Sequence, residues 1–206
     1  MKNFTLMFVS LFFVMCASAC GSDGKTKGCW KWDDGARMLV NSDLNLQWDL
    51  SDFNWFLADT GVMPENMVFC GRCEEGIVAS VLEMNDEMEG DVWSESSEFI
   101  RGMTDSMSEQ MGIFPGFGYD DVSSEKCYFL YKKALKFSMR CLVSDARIDS
   151  GEMELIMSGY LFVKDGTGVI LMVTMPYEYV TEFGDIVIDG ILDSFGYVNI
   201  SAEMNH

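Results

Sequence analysis

The chain has 206 residues with 14 basic against 33 acidic side chains, a formal charge of −19. That balance argues against a nucleic-acid partner, because binding phosphates needs clustered Lys and Arg. It also disfavours a broad electrostatic contact with anionic lipid, and its simplest role is solubility. The length suits one domain able to bury ~70% of the surface its unfolded form exposes.

Met1 and Lys2 give a short charged start, Phe4 to Met15 is an uncharged, mostly apolar run, and Ala17-Ser18-Ala19 places small residues before Cys20. That order describes a secretory signal peptide over residues 1–19. The apolar run is well short of the ~20 residues that cross a membrane as a helix. Ala17-Ser18-Ala19-Cys20 resembles the lipobox of bacterial lipoproteins, in which the cysteine becomes the new N-terminus and carries acyl chains such as palmitate. The usual motif has an aliphatic residue where this chain has Ala17, and the same residues fit an ordinary A-x-A cleavage with Cys20 as a bystander. The expectation is an exported chain, tied to the membrane by lipid at Cys20, in a bacterial cell envelope with the outer membrane as its expected site. Loss of Lys2 with the leader leaves 13 basic residues against 33 acidic, a charge of −20. Residues 20–40 read as a lipidated N-terminus and tether, 41–199 as a single domain and 200–206 as a C-terminal tail. The best later apolar run, Tyr160 to Met175, is cut by Lys164-Asp165-Gly166.

Leu44, Leu46, Trp48 and Leu50 alternate with polar residues and predict a half-buried strand. Ser51 is placed to cap a short helix over Asp52 to Asp59, with Gly61 past its end. Met67 to Cys70 and Ile77 to Met84 predict two strands around Glu74-Glu75-Gly76. Phe99, Met103, Met107 and Met111 recur every four residues, the stripe of a helix near 95–111. Phe114 to Ser124, with Pro115, Gly116 and Gly118, reads as a loop. Leu135, Phe137, Met139, Cys141 and Val143 alternate as a strand. Met153 to Val163 and Val169 to Met175 are apolar runs joined by Asp165-Gly166-Thr167-Gly168, a hairpin signature. Their near-continuous hydrophobicity predicts central strands covered on both faces. Phe183, Val187, Ile191 and Phe195 predict a last helix over 178–195. The expected class is α+β, an antiparallel β-sheet flanked by α-helices.

The segment ELIMSGYLFVKDGTGVILMVTMPYEY, followed by Ile191-Leu192-Asp193-Ser194-Phe195, resembles the C-terminal half of PsbP-like domains, a family that includes Mog-type proteins and envelope lipoproteins of the DcrB kind. The resemblance covers roughly residues 41 to 198 and implies an αβα sandwich. Its members share no catalytic constellation, so it carries no site residue onto this chain.

Cys70-Gly71-Arg72-Cys73 is a C-x-x-C motif, a candidate disulfide or redox pair. A redox pair needs its first thiolate at a helix N-terminus. Here Glu74-Glu75-Gly76 and a β-branched run follow instead, and the two acids raise the thiol pKa. Zinc needs four ligands, and Cys29, Cys127 and Cys141 form no second knuckle, so no metal is expected. Inert or structural thiols, a disulfide and redox work remain the three readings. Asn85, Glu87 and Glu89 faintly match a calcium loop, but Ser96 stands where its glutamate belongs. Met103, Met107 and Met111 have the spacing of core packing rather than of a copper stripe. No activated nucleophile or cofactor fingerprint is present, the only histidine being His206. The reading is therefore a non-catalytic, protein-binding or accessory module, with no cofactor, a membrane contact through Cys20 and Trp30, Trp32 or Trp55 as possible anchors for a partner. The alternatives are a small carboxylate-dependent hydrolase, or a thiol- or metal-handling protein acting through Cys70 and Cys73.

Overall fold

The computed structural model describes residues 26–59, 61, 63, 65–84, 92–94, 96–113, 116–144, 152–183 and 186–198. The leader, Cys20, the run 85–91 and the tail 200–206 lie outside the described residues. The elements are β1 (Trp30–Asp33), β2 (Met38–Asn41), β3 (Leu46–Asp49), β4 (Trp55–Leu57), β5 (Met67–Cys73), β6 (Val78–Met84), α1 (Ser96–Ile113), β7 (Phe117–Phe129), β8 (Lys132–Ser144), β9 (Glu152–Lys164), β10 (Thr167–Pro176), α2 (Tyr177–Phe183), α3 (Ile186–Asp193) and β11 (Phe195–Tyr197). They form a seven-stranded sheet, β4-β5-β6-β10-β9-β8-β7, and a four-stranded one, β1-β2-β3-β11. Every pairing is antiparallel.

The apolar runs of β9 and β10 have the explanation that their composition implies. Leu155, Met157, Leu161, Ile170 and Met172 enter a core that α1 covers with Phe99 and Met103. Tyr160, Phe162, Val169, Leu171, Val173 and Met175 enter a second core on the other face, against the small sheet and α3. A strand buried on both faces has no polar side to show. Asp165 and Gly166 turn the β9–β10 hairpin with φ of 51° and 83°, the left-handed pair of a tight two-residue turn. Gly159 lets β9 and β10 lie close, since a Cβ there would stand 2.0 Å from the Leu171 carbonyl oxygen.

The second core is aromatic. Trp48 is fully buried and donates its Nε1–H to the Ile191 carbonyl at 2.7 Å. Its ring meets that of Phe195 edge-on at 5.8 Å, and Phe129 stacks on Tyr160 at 4.1 Å. Across the two sheets Trp32 stacks on Phe69 at 5.6 Å and Phe195 meets Phe162 edge-on at 6.1 Å, and these contacts fix the small sheet on the large one.

Five expectations need correction. The αβα sandwich is one: a helix covers one face of the large sheet, but a second sheet with two short helices covers the other, and the described residues fold mostly as antiparallel strands. Residues 117–124 are not loop but the first part of β7, and Gly116 marks a close crossing, where a Cβ would meet the Ser144 carbonyl. Residues 52–59 hold a turn and β4 rather than a helix. There Trp55 donates to the Leu50 carbonyl at 2.7 Å and Arg37 reaches the carbonyls of Ser51 and Phe53, tertiary bonds that outweigh local propensity. The helix expected over 178–195 is α2 and α3, and Phe195 lies in β11 opposite Trp48. The small sheet also takes in residues 30–41 as β1 and β2, so the folded unit starts well before residue 41.

Candidate functional site

Cys70 and Cys73 both lie in β5, which alternates its side chains between the two faces of the sheet. Cys70 therefore enters the core under α1 and Cys73 the aromatic core on the opposite face. Both thiols are free, as are those of Cys29, Cys127 and Cys141. Burial pushes Cys70 up to about 12. Cys73 rises to about 11, first through burial and then through a hydrogen bond with Glu75. Burial likewise takes Cys141 to about 12. A thiol held neutral is a poor nucleophile and a poor metal ligand. Among the described residues no three His, Cys, Asp or Glu side chains converge on a metal position.

A polar strip crosses the outer part of the second face. Lys136 donates to Asp189 Oδ1 at 2.9 Å, joining β8 to α3. Arg140 donates to Glu154 at 2.8 Å and lies 4.6 Å over the Tyr177 ring, joining β8, β9 and α2. Between them the Ser158 hydroxyl donates to that of Ser138 at 2.9 Å. Each cation already faces a carboxylate, so this strip closes the helices onto the sheet.

The β7–β8 hairpin presents a different surface. Its turn residues, Leu130 and Tyr131, have φ of 50° and 60°. Such a turn normally takes Asn-Gly, and bulky residues are strained there. Two contacts hold it: Leu130 packs against the aromatic core, and the Tyr197 hydroxyl donates to the Leu130 carbonyl at 2.9 Å. Tyr131 is left 94% exposed and Tyr128 69%. Trp93 meets Tyr128 edge-on at 5.1 Å, donates to the Ala134 carbonyl and carries Lys133 Nζ 4.8 Å above its ring. Lys126, Lys132 and Lys133 are exposed around it. Residues 126–140 hold five basic side chains and no acidic one, in a chain of net charge −19.

The hairpin shares its end of the large sheet with the N-terminal segment. The pairings align Met67 with Leu82, Gly168 with Met84 and Val163, and Ala134 with Phe162. At that end the Lys27 amide donates to the Val68 carbonyl at 3.0 Å. The opposite end exposes Phe56, Leu142 and Met153 on β4, β8 and β9.

Of the tryptophans considered as anchors, Trp30 is 1% exposed, part of the core, and donates to Glu83. Trp32 stacks on Phe69 and Trp55 is half-buried against Phe53. Sequence reasoning missed Tyr128 and Tyr131. The available signal was the acid-free basic stretch, and a hairpin tip written Leu-Tyr where Asn-Gly is usual.

No family model matches the chain, and no curated protein matches it. Its structure is similar to the solution structure of cyanobacterial PsbP (CyanoP) from Synechocystis sp. PCC 6803. The TM-score is 0.53 at 13% identity, over 88% of this chain and 99% of that one. LpqN, described as involved in cell envelope biogenesis of Mycobacterium tuberculosis, matches at a TM-score of 0.34 and 10% identity, over 84% of this chain and 81% of that one. The similarity, which spans 99% of CyanoP, makes this a PsbP-like fold.

Proposed function

We propose that this chain is an exported, lipid-anchored and non-catalytic module of the bacterial cell envelope that binds or supports another envelope protein. The observation that carries the reading is that Phe56, Leu142 and Met153 lie exposed at the end of the sheet away from the segment leading back to Cys20. One end adjoins the segment leading back to Cys20, and the other offers Phe56, Leu142 and Met153 to a partner away from the anchor. Scattered exposed apolar residues are ordinary, but aromatic and methionine side chains are enriched where proteins meet. Glu75 and Asp165, the described carboxyl groups whose pKa moves clearly, both move down. A general acid needs the opposite direction.

The test has two arms. Mass spectrometry of the mature protein from cells is expected to find acylated Cys20, and an unmodified N-terminus there removes the anchor. A photoreactive side chain at Met153 in the anchored protein is expected to cross-link one envelope protein, and Leu142→Asp to abolish the product. Saturable hydrolysis of a glycan, ester or peptide, lost on changing one carboxylate in a folded protein, would replace the binding module with an enzyme.

A further inference from the structure

The two cores of the large sheet differ in chemistry. The core under α1 takes Met63, Met67, Met103, Met139, Met157 and Met172, while of the described buried methionines the aromatic core takes Met175. The pairings set several of these side by side. Met139 lies opposite Met157, Met157 opposite Thr174, and Met172 opposite Ser80, which in turn lies opposite Cys70. Side chains alternate along β6 and β10. Val78, Leu82, Ile170 and Met172 enter the core under α1, so Ser80 and Thr174 face the same way.

Each of these two hydroxyl side chains is 1% exposed. The other buried polar side chains of the described residues are bonded: Asn41 accepts from the Leu44 amide at 3.0 Å, and Ser158 donates to Ser138. The hydroxyls of Ser80 and Thr174 meet no hydrogen-bond partner among the described residues. A buried hydroxyl left unmatched is costly, and it marks a place where a further partner belongs. The methionines add a second property. A thioether chain is unbranched and repacks around different shapes, so methionine suits surfaces that accept varied apolar ligands.

From these we propose that the face of the sheet beneath α1 binds an uncharged amphiphile, a neutral acyl ester, with the oxygens of its head group facing Ser80 and Thr174 and its chain among Met139, Met157 and Met172. Ser80 and Thr174 stand diagonally across the β6–β10 pair, two residues apart in register. Such a diagonal spans ~7–8 Å, a distance that one head group bridges. No charged side chain is buried among the described residues, so a carboxylate would stay unpaired there and a neutral ester does not. The cover is α1, which meets this face with Met103 and with Phe99, 5.6 Å from Phe137, and it lifts to admit the ligand.

The test uses the purified chain with its methionine methyl groups labelled with carbon-13. It is titrated with monodecanoylglycerol and separately with decanoate, each below its micelle concentration. The signals of Met139, Met157 and Met172 are expected to shift saturably with the ester, while that of Met175, on the other face, holds still. Decanoate is expected to bind about ten-fold more weakly, for want of a buried cation. Ser80→Ala and Thr174→Val should each weaken the ester about five-fold, the worth of one neutral hydrogen bond. Thr174→Val should at the same time raise the melting temperature of the ligand-free protein by ~2–4 °C, because it exchanges an orphaned hydroxyl for a methyl group of similar size. A fall in melting on that change would mean that the hydroxyl already has a partner, and would overturn the proposal. So would unmoved methionine signals, a Met175 signal that shifts with the rest, equal binding of decanoate, or variants that hold the ester as tightly as the parent.

Discussion

Gly159→Ala tests the packing of the two central strands. Gly159 lies in β9 opposite Phe137 of β8 and Met172 of β10. A methyl group there would stand 2.9 Å from Phe137 Cζ and 2.0 Å from the Leu171 carbonyl oxygen. The ring can turn aside. The carbonyl cannot, because it belongs to the middle of a strand buried on both faces. Overpacking a core costs ~1–3 kcal/mol, and shifting β10 breaks ladder hydrogen bonds worth ~1 kcal/mol each. The two together come to ~3–5 kcal/mol, and at ~2–4 °C per kcal/mol for a domain of this size the melting temperature should fall by ~6–20 °C. Gly190→Ala is the control. That glycine is exposed in α3 with nothing within 4 Å of an added Cβ, so the same change should add ~0.5–1 kcal/mol of stability. Thermal unfolding followed by far-ultraviolet circular dichroism reads both. A Gly159→Ala protein that melts with the parent, or two variants that move in the same direction, would refute the close approach of β9 and β10.

Tyr131→Asn should raise stability by ~1 kcal/mol, by relieving a left-handed backbone that costs an ordinary residue ~1–2 kcal/mol, and chemical denaturation would show it as a higher midpoint. Trp48→Phe removes a buried donor to the Ile191 carbonyl and should lower stability by ~1–2 kcal/mol; an unchanged urea midpoint would mean that the bond contributes nothing. The thiols of Cys70, Cys73 and Cys141 ionise far more easily in the unfolded chain, near the ordinary 9.0, than in the folded one at about 12, 11 and 12. Their contribution is therefore complete below about pH 9 and lost as pH rises through about 11–12. The stability advantage of the parent over Cys141→Ala should shrink with rising alkaline pH, and an advantage that stays constant would contradict a neutral buried thiol. Under native conditions alkylation should find Cys29, which is exposed, well before those three.

Much of the fold was legible because its signals were periodic. The alternation of Leu135 to Val143, the apolar runs of β9 and β10 and the Asp165-Gly166 turn each state a strand or a turn in the sequence itself. The Phe99–Met103 stripe located α1 in the same way. The failures come where tertiary contacts overrule local signals. Ser51 looked like a helix cap, yet Arg37 and Trp55 bind that segment as a turn. Phe195 continued a helical stripe, but pairing with Trp48 draws it into β11. The candidate surface was less legible than the fold. A turn of Leu-Tyr carries none of the usual turn residues, and only the position of Tyr197 and the aromatic core shows how it is held.

The course of β5 between the two cores turns its cysteines into a timer. In the unfolded chain Cys70 and Cys73 are close enough in sequence to bond. Once β5 has paired with β4 and β6 their side chains point away from each other, and the geometry of a disulfide is out of reach. A bridge between them could only be made before the strand forms, and it would then bar the strand from forming. Under the exported reading proposed above the chain reaches an oxidising compartment, and two processes then compete for the same segment during the same interval. A Cys70–Cys73 bond found in cells would therefore mark molecules in which oxidation outran folding, and the bridged share would measure how often that happens.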